Sequence, residues 1–91
     1  MRPRSAHSLE YKQLAFKLRE TRKAKGLTQE VVSARLDKPR SFSFKVETGE
    51  RELNVIELMD YCAALEEDFL TFVTQLSREV KDLRQDQTQK D

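Results

Sequence analysis

Arg40, Ser41, Phe44 and Lys45 fall within six residues and bring together a guanidinium, a hydroxyl, a bare aromatic ring and an ammonium. On a helix counted from Pro39 at 100° per residue they occupy the arc from about 100° to 240°. Phe42, Ser43 and Val46 lie within about 60° of Pro39, on the opposite side, and read as buried. A charged outward face is ordinary on a solvated helix. An exposed phenylalanine is not, because it loses solvation free energy unless something covers it. This set donates hydrogen bonds and carries positive charge, which suits binding rather than bond-making. No glycine-rich phosphate loop and no metal-spaced set of His, Cys and carboxylates accompanies it. His7 and Cys62 have no partners at metal-ligand spacing, so no catalytic residue, metal or cofactor is expected and the chain reads as a non-enzyme.

The elements that must position this face belong to one small domain of 91 residues. No run of about 18 apolar residues is present, so no membrane span is expected. Arg2 and Arg4 are followed by no apolar stretch, unlike a secretory signal. The single cysteine cannot form an internal disulfide, and both features fit a cytoplasmic protein. The formal net charge of +1 conceals a division: residues 1–51 hold thirteen Lys/Arg against six Asp/Glu, and residues 52–91 hold four against ten. One half is thereby suited to a polyanion, the alternative being two solvated surfaces of opposite sign.

Helical signals follow one another along the chain, and no strand pattern interrupts them. Ser8 caps a first helix in which Tyr11, Leu14, Leu18 and Thr21 recur at helical spacing, and Gly26 ends it after Lys23 and Lys25. Thr28 caps a short second helix whose apolar side is Val31, Val32 and Leu36. Lys38-Pro39 then punctuates the chain, and a third helix runs from about Pro39 to Glu47, stopping at Thr48-Gly49. Two short helices about three residues apart are the helix-turn-helix signature. Asn54 and Glu57 have capping-box spacing at the start of a fourth helix. Ile56, Met59, Cys62 and Ala63 read as its inner face, with Leu58 and Leu65 as further candidates. Glu66-Glu67-Asp68 precedes a fifth helix carrying Phe69, Val73, Leu76, Val80 and Leu83, spaced 4, 3, 4 and 3.

The stretch RETRKAKGLTQEVVSARLDKPRSFSFKVETGERELNVIELMDYCAAL resembles the lambda-repressor-like (Xre-type) helix-turn-helix DNA-binding family. The resemblance spans about residues 11–72. It rests on Arg22 four residues before Gly26, on Gly26-Leu27-Thr28-Gln29, on Lys45-Val46-Glu47-x-Gly49, and on Leu53 with Ile56-Glu57-Leu58. It implies an all-α fold of five helices, with residues 28–37 as the positioning helix and 39–47 as the recognition helix in the major groove. Arg40, Ser41 and Lys45 match positions that reach base edges, and the guanidinium of Arg40 fits the O6/N7 pair of guanine. Phe44 would pack on thymine methyls. Thr28 and Gln29 match a phosphate site at a helix start, and Lys38 and Arg51 are further phosphate contacts. The family pattern also pairs Arg22 with Glu47 as a structural tie between the first and third helices.

Three residues depart from the pattern: Ser33 for alanine, Asp37 for the turn glycine, and Ser43 for a buried branched aliphatic. Asp37 is tolerable because aspartate accepts a left-handed backbone better than most residues. Ser43 leaves two rolls of the recognition helix open. In one, Phe44 faces outward; in the other it joins the core and the base-reading face shifts.

The expected organisation is a flexible basic arm over residues 1–8, a DNA-binding domain over 9–75, a helix extension over 76–86 and a polar tail over 87–91. Phe69, Leu70 and Val73 are assigned to the domain's own core, whereas Leu76, Val80 and Leu83 would be left in water by a monomer. They are therefore assigned to a homodimer seam. A two-fold dimer would set two recognition helices roughly 34 Å apart over a palindromic site. The expected function is a double-stranded-DNA-binding transcriptional regulator acting as a repressor. The rival is a protein-interaction module on the same fold, such as an antitoxin-like protein or a regulatory subunit. Arg2 and Arg4 in the arm either reach a groove or have no role.

Overall fold

The computed structural model describes residues 8–89, with side chains through residue 85. It contains five helices and, among the described residues, no strand: α1 (Leu9–Ala24), α2 (Gln29–Arg35), α3 (Phe42–Thr48), α4 (Val55–Ala64) and α5 (Phe69–Gln89). Of the expected arm over residues 1–8, residues 1–7 with Arg2, Arg4 and His7 lie outside the described residues, and Ser8 belongs to the start of α1 as its N-cap.

The starts of α1, α2, α4 and α5 are those the sequence announces, because each is decided by a few neighbouring atoms. Ser8 Oγ accepts from the Tyr11 N–H at 3.1 Å and Thr28 Oγ1 from the Val31 N–H at 3.1 Å. Asn54 and Glu57 close a reciprocal capping box, each side chain accepting from the other's backbone N–H at 2.8 and 2.9 Å. Asp68 caps α5 through the Thr71 N–H and hydroxyl.

Three helices end in the same left-handed device, in which the two residues past the cap donate back to the last turn. After α1 the N–H groups of Gly26 and Leu27 donate to the Lys23 and Arg22 carbonyls. After α2 those of Asp37 and Lys38 donate to Ala34 and Ser33. After α4 those of Glu66 and Glu67 donate to Ala63 and Cys62. Asp37 and Glu66 hold positive φ values of 56° and 58° without being glycine. Lys25 and Arg35 converge on the α4 end: Lys25 donates to the Glu66 carbonyl, and Arg35 to the Ala64 carbonyl and the Glu66 carboxylate. Asp37→Gly relieves the left-handed side-chain penalty of about 1–2 kcal/mol, offset in part by a more flexible unfolded chain. A gain of up to about 1 kcal/mol in thermal or urea unfolding is expected, and a loss would contradict that account.

The helices pack as α1 on α3 and α5, α2 on α3 and α4, and α4 on α5. Between them lie Leu18, Val32, Phe42, Val46, Leu58, Tyr61, Cys62, Ala64, Leu65 and Phe72. Several sequence expectations are corrected here. Ile56 and Met59 are exposed, as is Ala63; of the residues first assigned to the α4 interior only Cys62, Leu58 and Leu65 are buried, joined by Tyr61. The apolar residues of α4 run nearly all round it, so their spacing leaves the phase of the inner face undecided. Val31 is exposed and the inner side of α2 is Val32 and Ser33, with Leu36 packed against the core from the helix end. Leu70 is 70% exposed, and Phe72, fully buried, takes its assigned place in the core.

Leu76, Val80 and Leu83 are half-buried rather than fully in water, and Leu76 packs against the core. The reason is that α5 returns along α1. Gln13 and Lys17 both donate to Glu79, at 2.8 and 3.2 Å, and Arg84 reaches Glu10.

Candidate nucleic-acid interface

The expected recognition helix begins later than its sequence suggests. Pro39 to Ser41 form a turn that leads into α3, with the Phe42 N–H donating to the Pro39 carbonyl at 2.9 Å. Arg40 and Ser41 therefore stand on the lead-in turn, and Phe44 and Lys45 on the helix. All four are exposed, while Phe42, Ser43 and Val46 are buried. Phe44 is 51% exposed, which settles the roll of α3 in favour of the outward ring.

The polar atoms behind α3 fix that roll. Arg22 donates from Nε and Nη2 to the two carboxylate oxygens of Glu47, at 2.6 and 3.2 Å, and from Nη1 to the Leu27 carbonyl at 2.9 Å. The pair is nearly dry, with side-chain exposures of 13% and 3%. The Glu47 hydrogen bond, more than any other influence, holds the Arg22 guanidinium even more firmly protonated than usual. Gln29 Nε2 donates to the same carboxylate at 2.8 Å. One carboxylate on α3 thus gathers side chains from α1 and from the first residue of α2.

Ser43 supplies a second anchor one turn earlier. Its N–H, among the free donors of the first turn, is capped from α2 by Ser33 Oγ at 3.0 Å; Ser41 offers no side-chain cap. Its hydroxyl shares a 2.6 Å hydrogen bond with the Tyr61 hydroxyl and lies 3.4 Å from Glu47. Ser33, Ser43 and Tyr61 are each fully buried, and burial pushes the Tyr61 phenol up to about 12. A buried hydroxyl left without a partner costs about 1–3 kcal/mol, so these groups tolerate little displacement. Helix geometry places Ser43 on the buried side but does not give its partners, and apolar spacing overlooks Ser33 and Tyr61; a tyrosine in the apolar run of α4 is the available signal.

The remaining residues fall around this frame. Thr28, Gln29, Glu30, Arg40, Ser41 and Phe44 line one open groove between the starts of α2 and α3. Within it Arg40 is ion-paired with Glu30, a partner the sequence reading did not name. Lys38 and Arg51 each place their charge 5.5 Å from the centre of the Phe42 ring. Arg51 also donates to both oxygens of Glu57, and its hydrogen bond is the first cause holding the Glu57 carboxyl below its ordinary range. Tyr11 secures the same segment from α1. Its hydroxyl donates to the Arg51 carbonyl at 3.2 Å and accepts from the Leu53 N–H at 2.9 Å, and its phenol is raised by burial. The expected base and phosphate groups near the α2 start therefore share a groove, with Lys38 and Arg51 beside Phe42 and Lys45 on the exposed side of α3. Leu76, Val80 and Leu83 belong to α5, outside this cluster.

This arrangement has counterparts among known proteins. A family model described as helix-turn-helix matches residues 18–72, more than half of the chain. The chain belongs to the Xre-type helix-turn-helix family. An XRE-family like protein from Pseudomonas syringae pv. tomato str. DC3000 superposes with a TM-score of 0.75 at 40% identity, covering 80% of this chain and 89% of that one. The restriction-modification controller protein C.Esp1396I is also similar. A single-substitution mutant of it gives a TM-score of 0.72 at 26% identity, covering 80% and 92% of the two chains. Its wild-type form gives 0.74 at 24%, covering 81% and 97%, a likeness of fold. No curated protein matches the chain. The family makes this Xre-type protein a DNA-binding transcription regulator. Among the described residues no helix is long and apolar enough to cross a membrane, and no cluster of His, Cys, Asp and Glu is placed to hold a metal.

Proposed function

We propose that this protein binds double-stranded DNA sequence-specifically in the cytoplasm, as a homodimer on a palindromic operator, and represses transcription by occupying it. The observation that carries the reading is the outward face at the α2–α3 start, where Arg40, Ser41 and a half-exposed Phe44 share a groove with Thr28 and Gln29. Arg40, Ser41 and Lys45 read base edges, and Phe44 covers thymine methyls. Thr28, Gln29, Lys38 and Arg51 contact phosphate. Gln29 does so with one amide N–H already committed to Glu47, which orients the other. Likeness to a restriction-modification controller supports regulation through DNA rather than catalysis.

Arg40→Ala is expected to weaken binding to the preferred duplex by about 1–3 kcal/mol and to relax selectivity at one base position. Lys38→Ala should weaken all sequences alike and lower the slope of log affinity against log salt by about 1. Titration of both variants by fluorescence anisotropy at several salt concentrations checks this. If neither affinity changes, α3 and its lead-in turn do not read DNA.

Leu76, Val80 and Leu83 complete the proposal as the dimer seam, through the apolar surface that α1 leaves uncovered. Because Leu76 also packs in the core, the cleaner variant is Val80→Glu with Leu83→Glu. It is expected to give a folded monomer by light scattering and circular dichroism. A folded variant with the mass of the parent dimer would remove the seam.

A further inference from the structure

The aromatic pattern of α3 makes its roll ambiguous on apolar grounds. Phe42 and Phe44 stand on opposite sides of a seven-residue helix, and burying either ring removes a similar area from water. Glu47 anchors the C-terminal end through Arg22 and Gln29. The other end, where Arg40, Ser41 and Phe44 stand, has no side-chain cap of its own. Its polar anchor is Ser43, held by Ser33 of α2 at 3.0 Å and by Tyr61 of α4 at 2.6 Å. Both bonds are directional, and both are met only when Ser43 faces inward.

We propose that Ser43, through its N–H to Ser33 Oγ and its hydroxyl to Tyr61, is a positioning element that holds the N-terminal end of α3 in the one roll presenting Arg40, Ser41 and Phe44 together. Its contribution is to discrimination between base sequences rather than to general affinity for DNA. A buried polar contact that selects one arrangement among similar apolar ones is the best-attested use of such groups. The inference rests on the DNA-reading role proposed above.

The test is the double variant Ser43→Ala with Tyr61→Phe, which removes both hydroxyls, leaves neither orphaned and barely alters volume. Tyr61→Phe alone serves if the double variant fails to fold, since Ser43 keeps Glu47 in reach. Discrimination between the preferred duplex and single-base variants is expected to fall about tenfold, with the salt slope unchanged because the phosphate contacts remain. A readout without DNA accompanies it. The chain has no tryptophan, so Phe44→Trp introduces a unique reporter at the outward position. Removing the hydroxyl pair in that background should change its iodide quenching and emission maximum. A folded variant with unchanged discrimination and unchanged quenching overturns the proposal. If the parent itself shows no discrimination, the DNA reading fails, and the quenching comparison alone still decides the positioning role.

Discussion

Glu47→Ala is expected to destabilise the protein by about 3–5 kcal/mol, the range for breaking one partner out of a buried ion pair. For a chain of this length that is a large share of a total of roughly 5–14 kcal/mol. The size follows from what the carboxylate holds. Arg22, 13% exposed, would keep its charge without its counter-ion, and Gln29 Nε2 would lose its acceptor along with it. The same change frees the C-terminal end of α3, so DNA affinity should fall at temperatures where the fold persists. Replacing both partners with apolar residues of similar volume, Arg22→Met with Glu47→Leu, should recover most of the stability, because no buried charge then remains. Urea unfolding followed by circular dichroism checks both variants. A loss below about 1 kcal/mol for Glu47→Ala would be the behaviour of an exposed pair and would contradict the burial of this one.

Phe72→Ala is expected to cost a comparable 3–5 kcal/mol through lost transfer free energy and the cavity it leaves. Its ring is fully buried in the shared core, and the Lys17 ammonium lies 5.3 Å from the ring centre. The control is Leu70→Ala, two residues earlier and 70% exposed, which should change stability by less than about 0.5 kcal/mol. Thermal unfolding of the two variants side by side tests the phase of α5 directly. Equal losses would mean that α5 is rotated from the orientation described.

That contrast marks the boundary of what the sequence reveals. Caps and helix ends were legible because each depends on residues three or four apart: Ser8, Thr28, the Asn54–Glu57 box, Gly26 and Asp37 all act as their types suggest. The buried side of α3 was legible because charge excluded the other side. The phase of α4 was not, and on α5 Phe69, Val73 and Leu76 pack against the core as their spacing suggests, whereas the places of Leu70 and Phe72 were not legible. Around Leu58 and Met59, or Phe69, Phe72 and Val73, apolar residues fill neighbouring positions on the helical wheel, and only the partner helix selects among them. The tie from Arg22 to Glu47 came through family resemblance alone, since no local pattern links residues 25 apart. Ser33, Ser43 and Tyr61 form a contact between three separate elements, which spacing along the chain cannot show. The partnership of Arg40 with Glu30 is hidden for the same reason.

The exposed face around Arg40 and Phe44 is proposed to read a DNA sequence. Selection of binding duplexes from a random pool at near-physiological salt tests it most directly. The account predicts enrichment of a palindrome whose half-sites lie about one helical turn apart, with Arg40→Ala erasing the preference at one guanine of each half-site. Recovery of unenriched sequences by the folded protein would contradict it, and would favour a protein partner for the exposed residues around Phe44.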